Sequence, residues 1–171
     1  MKLIPSTLAD IPSIMSIIKD AQEYLAELKI DQWQDGYPTE DQIKLDIANN
    51  DSYVVLNDSG KIIGTTVFST KKEPSYSNIE GKWITPGNAN YGVIHRLAVC
   101  KNSRKSGMAK FVFDECEQQL KKLEIGMRID THRDNKGMQR LLKARGYQYC
   151  GVIYLESGAE RLAFEKLCKS E

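Results

Sequence analysis

Leu97-Ala-Val-Cys-Lys-Asn-Ser-Arg-Lys-Ser-Gly-Met-Ala109 is the stretch that decides how this chain folds. An apolar strand end (Leu97, Ala98, Val99) runs into a short basic turn. A helix then begins, with apolar positions at Met108, Val112, Cys116 and Leu120. Backbone N–H groups at a helix start have no intrahelical acceptors and carry the positive end of the helix dipole. Gly107 lets a ligand approach the backbone closely, and Arg104 and Lys105 add charge. In physical terms this is a cradle for a pyrophosphate. A solvated basic turn is the plainer reading of the same residues.

Working outward, the hydrophobic period predicts an element order of β-α-α-β-β-β-α-β-α-β-β. Lys2–Ile4 reads as a short strand, and Thr7 with Asp10 as a capping box. Ile11, Ile14, Met15, Ile18, Leu25 and Ala26 predict a helix to about Leu28, with Pro12 tolerated in its first turn. A loop from Ile30 to Pro38 precedes a second helix opened by Thr39 and Gln42. Ser52–Leu56 and Lys61–Phe68 form a hairpin across Asn57-Asp-Ser-Gly60, and Ser69–Asn90 reads as mostly loop with Trp83 as its large anchor. Strands at Tyr91–Val99, Met127–Thr131, Tyr147–Ile153 and Arg161–Cys168, with a helix over Asn135–Ala144 ended by Gly146, complete the pattern. The expected fold is α/β: a mixed, mostly antiparallel central sheet flanked by helices, one domain over residues 1–171.

Composition excludes several classes of function. Lys+Arg of 24 against Asp+Glu of 23 leaves a net charge of +1, without the basic surplus of a nucleic-acid binder. The two histidines and four cysteines (Cys100, Cys116, Cys150, Cys168) show no CxxC or HxxxH spacing, so no metal site is expected. No apolar run approaches the ~18 residues of a membrane span, and Met1–Asp10 lacks an apolar signal region. Widely spaced cysteines fit reduced thiols, and a cytoplasmic location is expected.

Arg104-x-x-Gly107-x-Ala109, followed by Asp134-Asn135-x-x-Met138 and then Gly146-Tyr147, resembles the GNAT N-acetyltransferase superfamily. The resemblance follows the element order from about Lys2 to Cys168 and is sharpest between Tyr91 and Val152. It implies an acetyl-CoA-dependent N-acetyltransferase acting on a primary amine of a small molecule or a protein, with no metal. It further implies that the backbone of Leu97, Ala98 and Val99 pairs with the pantetheine arm. Arg104, Lys105, Ser106, Gly107, Met108 and Ala109 would hold the pyrophosphate, and Asn135 and Met138 would flank the pantetheine. Many members of the superfamily carry a Tyr seven residues after the Asn, as the acid that protonates the departing thiolate. Here that position is Leu142, which cannot donate a proton. Tyr147, Tyr149 and Tyr154 are the candidate substitutes, each also readable as a packing residue.

Amine acylation also needs a base. His95 lies two residues before Leu97, and strand alternation places both on one face unless a bulge intervenes. Glu23 and Glu27 on the first helix are the fallback. His132 ends the strand before Asn135, where it acts on substrate or orders the loop. Trp33 and Tyr37, with Asp31 and Asp35, suit an aromatic and acidic wall for a cationic amine, with Trp33 equally readable as a core plug, and Trp83 is a second candidate wall. A non-catalytic acyl-CoA-binding module is the competing reading, and an acyl-enzyme on Cys100 is disfavoured because Cys100 adjoins the pyrophosphate turn. The acceptor, and the choice between monomer and homodimer, stay open at this stage.

Overall fold

Thr7 and Asp10 form the capping box their spacing predicts, over a 3₁₀ turn at Leu8–Asp10 that leads into the first helix. The Asp10 carboxylate accepts from the Thr7 N–H at 2.8 Å and from its hydroxyl at 3.0 Å. The computed structural model describes residues 1–168 and forms a mixed α/β fold. Its eight-stranded, mostly antiparallel sheet has the order β1-β2-β3-β5-β6-β8-β7-β4, and there are four helices. The chain divides into two compact units, residues 1–68 with 94–116, and residues 69–93 with 117 onward.

The first unit holds β1 (Lys2–Pro5), α1 (Ile11–Glu27), α2 (Glu40–Ala48), β2 (Ser52–Leu56) and nearly all of β3 (Ile62–Ser69). Pro12 lies in the first turn of α1, where a missing N–H costs nothing. Ile11, Ile14 and Ile18 form the buried stripe of α1 and pack with Ile43 of α2 and Val54 of β2. Thr39 caps α2 by accepting from the Gln42 N–H at 3.2 Å. The β2–β3 hairpin turns on Asn57, whose Oδ1 accepts from the N–H groups of Ser59 (3.1 Å) and Lys61 (2.9 Å), with Gly60 at φ +79°. β5 (Tyr91–Val99) and α3 (Met108–Leu123) each contribute one part to each unit.

The second unit holds β4 (Glu80–Gly81), β6 (Gly126–Thr131), α4 (Lys136–Ala144), β7 (Gln148–Tyr154) and β8 (Glu160–Lys166). β5 runs parallel to β6 over Tyr91–Val93, while β6 and β7 both pair antiparallel with β8. Two expectations need correction here. The stretch 69–90 contains β4, which carries too few residues to show a period. It pairs with β7 because Gly81 and Gly151, at φ +136° and +142°, cross so closely that a Cβ on either would lie 2.1 Å from the opposing carbonyl oxygen. The last strand stops at Lys166, short of the predicted Cys168.

A buried carboxylate ties this unit together. Glu117 of α3 accepts from Arg145 Nε (3.0 Å), the Tyr147 hydroxyl (3.0 Å) and Lys166 Nζ (2.6 Å). Burial pushes its carboxyl pKa up, but Arg145 and Lys166 outweigh this and hold it below the ordinary carboxylate value. A depressed folded-state pKa stabilises the fold above the ordinary value of about 4.3 and ceases to do so as pH falls through the folded value. Glu117→Gln is therefore expected to destabilise the protein by about 3 kcal/mol at pH 7, since it leaves two cations unpaired. Urea titrations of both proteins should show this gap narrowing below pH ~4. A gap independent of pH would show that the carboxylate's charge is irrelevant.

Candidate functional site

The basic turn is held from two sides within the first unit. As β5 ends, the Cys100 N–H donates to the Ile63 carbonyl at 2.9 Å, and Lys101–Ser103 make a single 3₁₀ turn. Lys105 (φ +66°) and Gly107 (φ +83°) adopt left-handed backbone, and α3 starts at Met108. A Cβ on Gly107 would meet nothing within 4 Å, so this glycine serves conformation and leaves its backbone open to a ligand. Met108 is fully buried over Gly64 of β3, where a Cβ would sit 2.4 Å from the Met108 Cε. That contact seats the start of α3 on the sheet.

The second hold comes from α1. The Asp20 carboxylate accepts from the Lys101 N–H at 2.8 Å, and the Asp20 carbonyl accepts from Arg104 Nη2 at 2.6 Å. The Arg104 guanidinium lies 4.2 Å from the centre of the Tyr24 ring. The Arg104 side chain is thus engaged by α1, and Lys101 and Lys105 are exposed cations of the turn. Asp20 and Tyr24 escape sequence reading because they lie about 80 residues from the turn they hold.

In the centre of β5, Arg96 sits at φ +50°, a left-handed residue inside a strand. Its Nε and Nη2 donate to the two Asp46 oxygens at 2.7 and 2.8 Å, and Nη1 donates to the Tyr37 hydroxyl. Gln42 Nε2 also donates to Asp46, at 3.0 Å, and Gln22 Nε2 donates to the Tyr37 carbonyl at 3.0 Å. Tyr37 is thus fixed by α1 and β5 together. Trp33 is half-buried at φ +63°, and Glu27 is exposed at the end of α1. His95 is half-buried, and its carbonyl accepts from the Thr66 hydroxyl at 3.4 Å. Alternation alone does not put its side chain on the Leu97 face, because the distorted residue Arg96 stands between them. Leu97 and Val99 are half-buried and Ala98 is buried.

In the second unit several candidates have structural duties. Tyr147 is buried, and its hydroxyl donates to Glu117 at 3.0 Å. Burial, then the Glu117 charge, raises its phenol far above the ordinary value, so it is withdrawn as a proton donor. Leu142 is fully buried. Tyr149 is exposed and meets Phe164 edge-on at 5.7 Å; Tyr154 is exposed and bonds Glu80 at 3.3 Å, and the Glu80 charge raises its pKa. Trp83 is no substrate wall: it is 5% exposed, with its Nε1 donating to the Tyr76 carbonyl at 3.0 Å. Its ring lies 4.4 Å from the Arg128 guanidinium. The Asn135 Oδ1 caps α4 by accepting from the Met138 N–H at 3.1 Å. His132 Nδ1 accepts from the Asp134 N–H at 3.1 Å, which orders the loop.

At the C-terminal end of β6, the buried Tyr76 hydroxyl donates to Asp130 Oδ2 at 2.8 Å, and Arg161 Nε lies 4.0 Å from Asp130 Oδ1. Among the described residues, no three His, Cys, Asp or Glu side chains gather as a metal site requires, and no helix is long and apolar enough to cross a membrane.

The model of the acetyltransferase (GNAT) family matches residues 18–147. A GNAT-family acetyltransferase from Streptococcus agalactiae is similar at 33% identity and a TM-score of 0.84, over 99% of this chain and 96% of that one. One from Listeria monocytogenes is similar at 15% identity and a TM-score of 0.75, over 97% and 94%. A GNAT-superfamily phosphinothricin acetyltransferase from Sinorhizobium meliloti, solved in complex with AcCoA, is similar at 14% identity and a TM-score of 0.66, over 98% and 88%. Among curated proteins, none matches this sequence significantly. With the family model covering most of the chain and a relative at one-third identity along nearly all of it, this protein belongs to the GNAT acetyltransferase family.

Proposed function

We propose that this protein is an acetyl-CoA-dependent N-acetyltransferase that acts on a primary amine by direct attack on the thioester. The observation that carries this reading is the open, externally held turn at Arg104–Ala109. Its left-handed Lys105 and Gly107 and the first N–H groups of α3 suit a pyrophosphate. The AcCoA complex of the phosphinothricin acetyltransferase, a protein of the same fold, supports the choice of cosubstrate. Backbone of Leu97, Ala98 and Val99 would bind the pantetheine arm as an added strand. In the reaction the amine gives one proton to a base and its lone pair forms the C–N bond. The C–S bond then breaks, and the thiolate takes a proton from solvent or from an exposed tyrosine, Tyr149 or Tyr154. His95 is our candidate for the base, with Glu23 and Glu27 of α1 as fallback. Trp33 and Tyr37 are our candidates for the acceptor's apolar contacts.

The buried Leu142 and the committed Tyr147 favour a second reading, an acyl-CoA-binding module without turnover. Steady-state consumption of acetyl-CoA against a panel of amines separates the two.

Coenzyme A is expected to raise the melting temperature of the protein by binding the folded state. Asp20→Ala releases Lys101 from α1 and should weaken coenzyme A binding roughly tenfold, as should Arg104→Glu. Calorimetric titration would show Tyr24→Leu combined with Arg104→Gln losing less than the sum of the single changes, because the two side chains act as one contact. Unchanged affinity in both Asp20→Ala and Arg104→Glu would remove the turn from the cosubstrate site.

His95→Gln preserves size and hydrogen bonding while removing titration. It should lower kcat/KM by roughly ten- to a thousandfold and flatten the acidic limb of the pH profile, since a base works only when neutral. Coenzyme A affinity should stay within about twofold. An intact acidic limb would make His95 structural.

A further inference from the structure

One face of the β6–β8 pair carries two arginine–carboxylate pairs that differ in a way their sequence does not show. Arg128 stands opposite Glu165, and Asp130 opposite Ala163. Arg161 lies two residues before Ala163 and so shares their face. The inner pair is closed. Arg128 donates through Nε to Glu165 at 3.1 Å and through Nη2 to the Thr85 hydroxyl at 2.9 Å. Its guanidinium lies between Trp83 and Tyr91 at 4.4 and 4.3 Å, and the two charged side chains are 1% and 0% exposed.

The outer pair is open. Arg161 and Asp130 are 11% and 12% exposed, and at 4.0 Å they stand beyond hydrogen-bond distance. Arg161 spends Nη1 on the Glu160 carbonyl at 2.8 Å, and among the described residues its Nε and Nη2 have no acceptor. No fully buried side-chain nitrogen or oxygen among these residues lacks a partner. The unused edge of Arg161 therefore opens to solvent. Asp130 spends Oδ2 on the Tyr76 hydroxyl and keeps Oδ1. An edge that opens to solvent and has no acceptor among the described residues is placed to take a ligand's paired oxygens in a charge-assisted, bidentate bond.

Building on the acetyl-transfer reading, we infer that Arg161 and Asp130 recognise the acceptor, and that the acceptor is an α-amino acid. The Nε–Nη2 edge of Arg161 takes the carboxylate in a bidentate bond. Asp130, oriented by Tyr76, takes the ammonium group. An α-amino acid separates these two charges by one carbon, which suits a recognition pair 4.0 Å apart. His132, Arg133 and Asp134 beyond β6, and Glu160 beside Arg161, are further titratable groups at this end.

The test compares α-amino acids with their decarboxylated amines, as acceptors in acetyl-CoA turnover and as calorimetric ligands of the protein saturated with coenzyme A. Amino acids should be preferred by roughly a hundredfold in kcat/KM, because the amine leaves the guanidinium unpaired. Arg161→Gln should raise the amino-acid KM at least about tenfold, leave the KM for acetyl-CoA unchanged and abolish the preference, with partial rescue in Arg161→Lys. Asp130→Asn should weaken amino-acid binding while the protein stays folded, and it carries the test if Arg161→Gln does not fold. Amines as good as amino acids, or an unchanged KM in Arg161→Gln, would overturn the assignment. Absence of turnover with every acceptor would refute acetyl transfer alone. The calorimetric arm then decides: Arg161-dependent binding of an amino acid upholds the site, and absence of binding overturns it.

Discussion

A helix start that binds an anion has to leave its first N–H groups unpaired, and so it cannot hold itself in place. In this protein the hold is external. Asp20 grips the turn through the Lys101 N–H and through Arg104, and Met108 is seated on Gly64. Neither contact uses the first N–H groups of α3. This arrangement explains why a conspicuous cation of the turn, Arg104, is directed at α1. Its charge stacks on Tyr24 and fixes geometry. Preorganisation of this kind lowers the ordering entropy that a flexible basic loop would lose on binding.

Buried ion pairs recur as fasteners in both units, and their completeness separates structural roles from functional ones. Arg96 with Asp46 fixes the distorted centre of β5 in the first unit; Glu117 with Arg145 and Lys166 joins α3 to β8 in the second. Such pairs return little net stability, because desolvation offsets most of the Coulomb gain, but removing one partner is costly. They therefore act more on geometry than on overall stability. A pair left unsatisfied in the same environment, as at Arg161 and Asp130, is out of keeping with the others, and a ligand is the economical explanation.

Local signals were legible in the sequence, and long-range ones were not. The apolar stripe of α1, the Thr39 cap, the Asn57 turn and the strand–turn–helix run from Leu97 depend on residues within a few positions of one another, and the structure contains each of them. β4 was missed because a two-residue strand has no period and rests on a glycine crossing. Arg96 carried one unread signal, a charge in the middle of an apolar strand; its partner Asp46 lies on a separate helix. Trp83 and Tyr147 look alike as candidate chemistry and as core from composition alone. Burial and a committed polar tip assign both to the core.

The absence of a tyrosine at position 142 bears on which proton transfer limits the reaction. A thiol of ordinary acidity, pKa about 8.5, leaves as a thiolate that is nearly stable at neutral pH, so an acid at that step saves little free energy. An alkyl amine near pKa 10.4 is overwhelmingly protonated at pH 7 and is no nucleophile in that form. Bringing it to neutrality costs about 4–5 kcal/mol, at 1.36 kcal/mol per pKa unit. The larger demand therefore falls on the base and on whatever orients the amine. In the proposed reaction, the buried leucine at position 142 therefore forgoes only the cheaper of the two proton transfers.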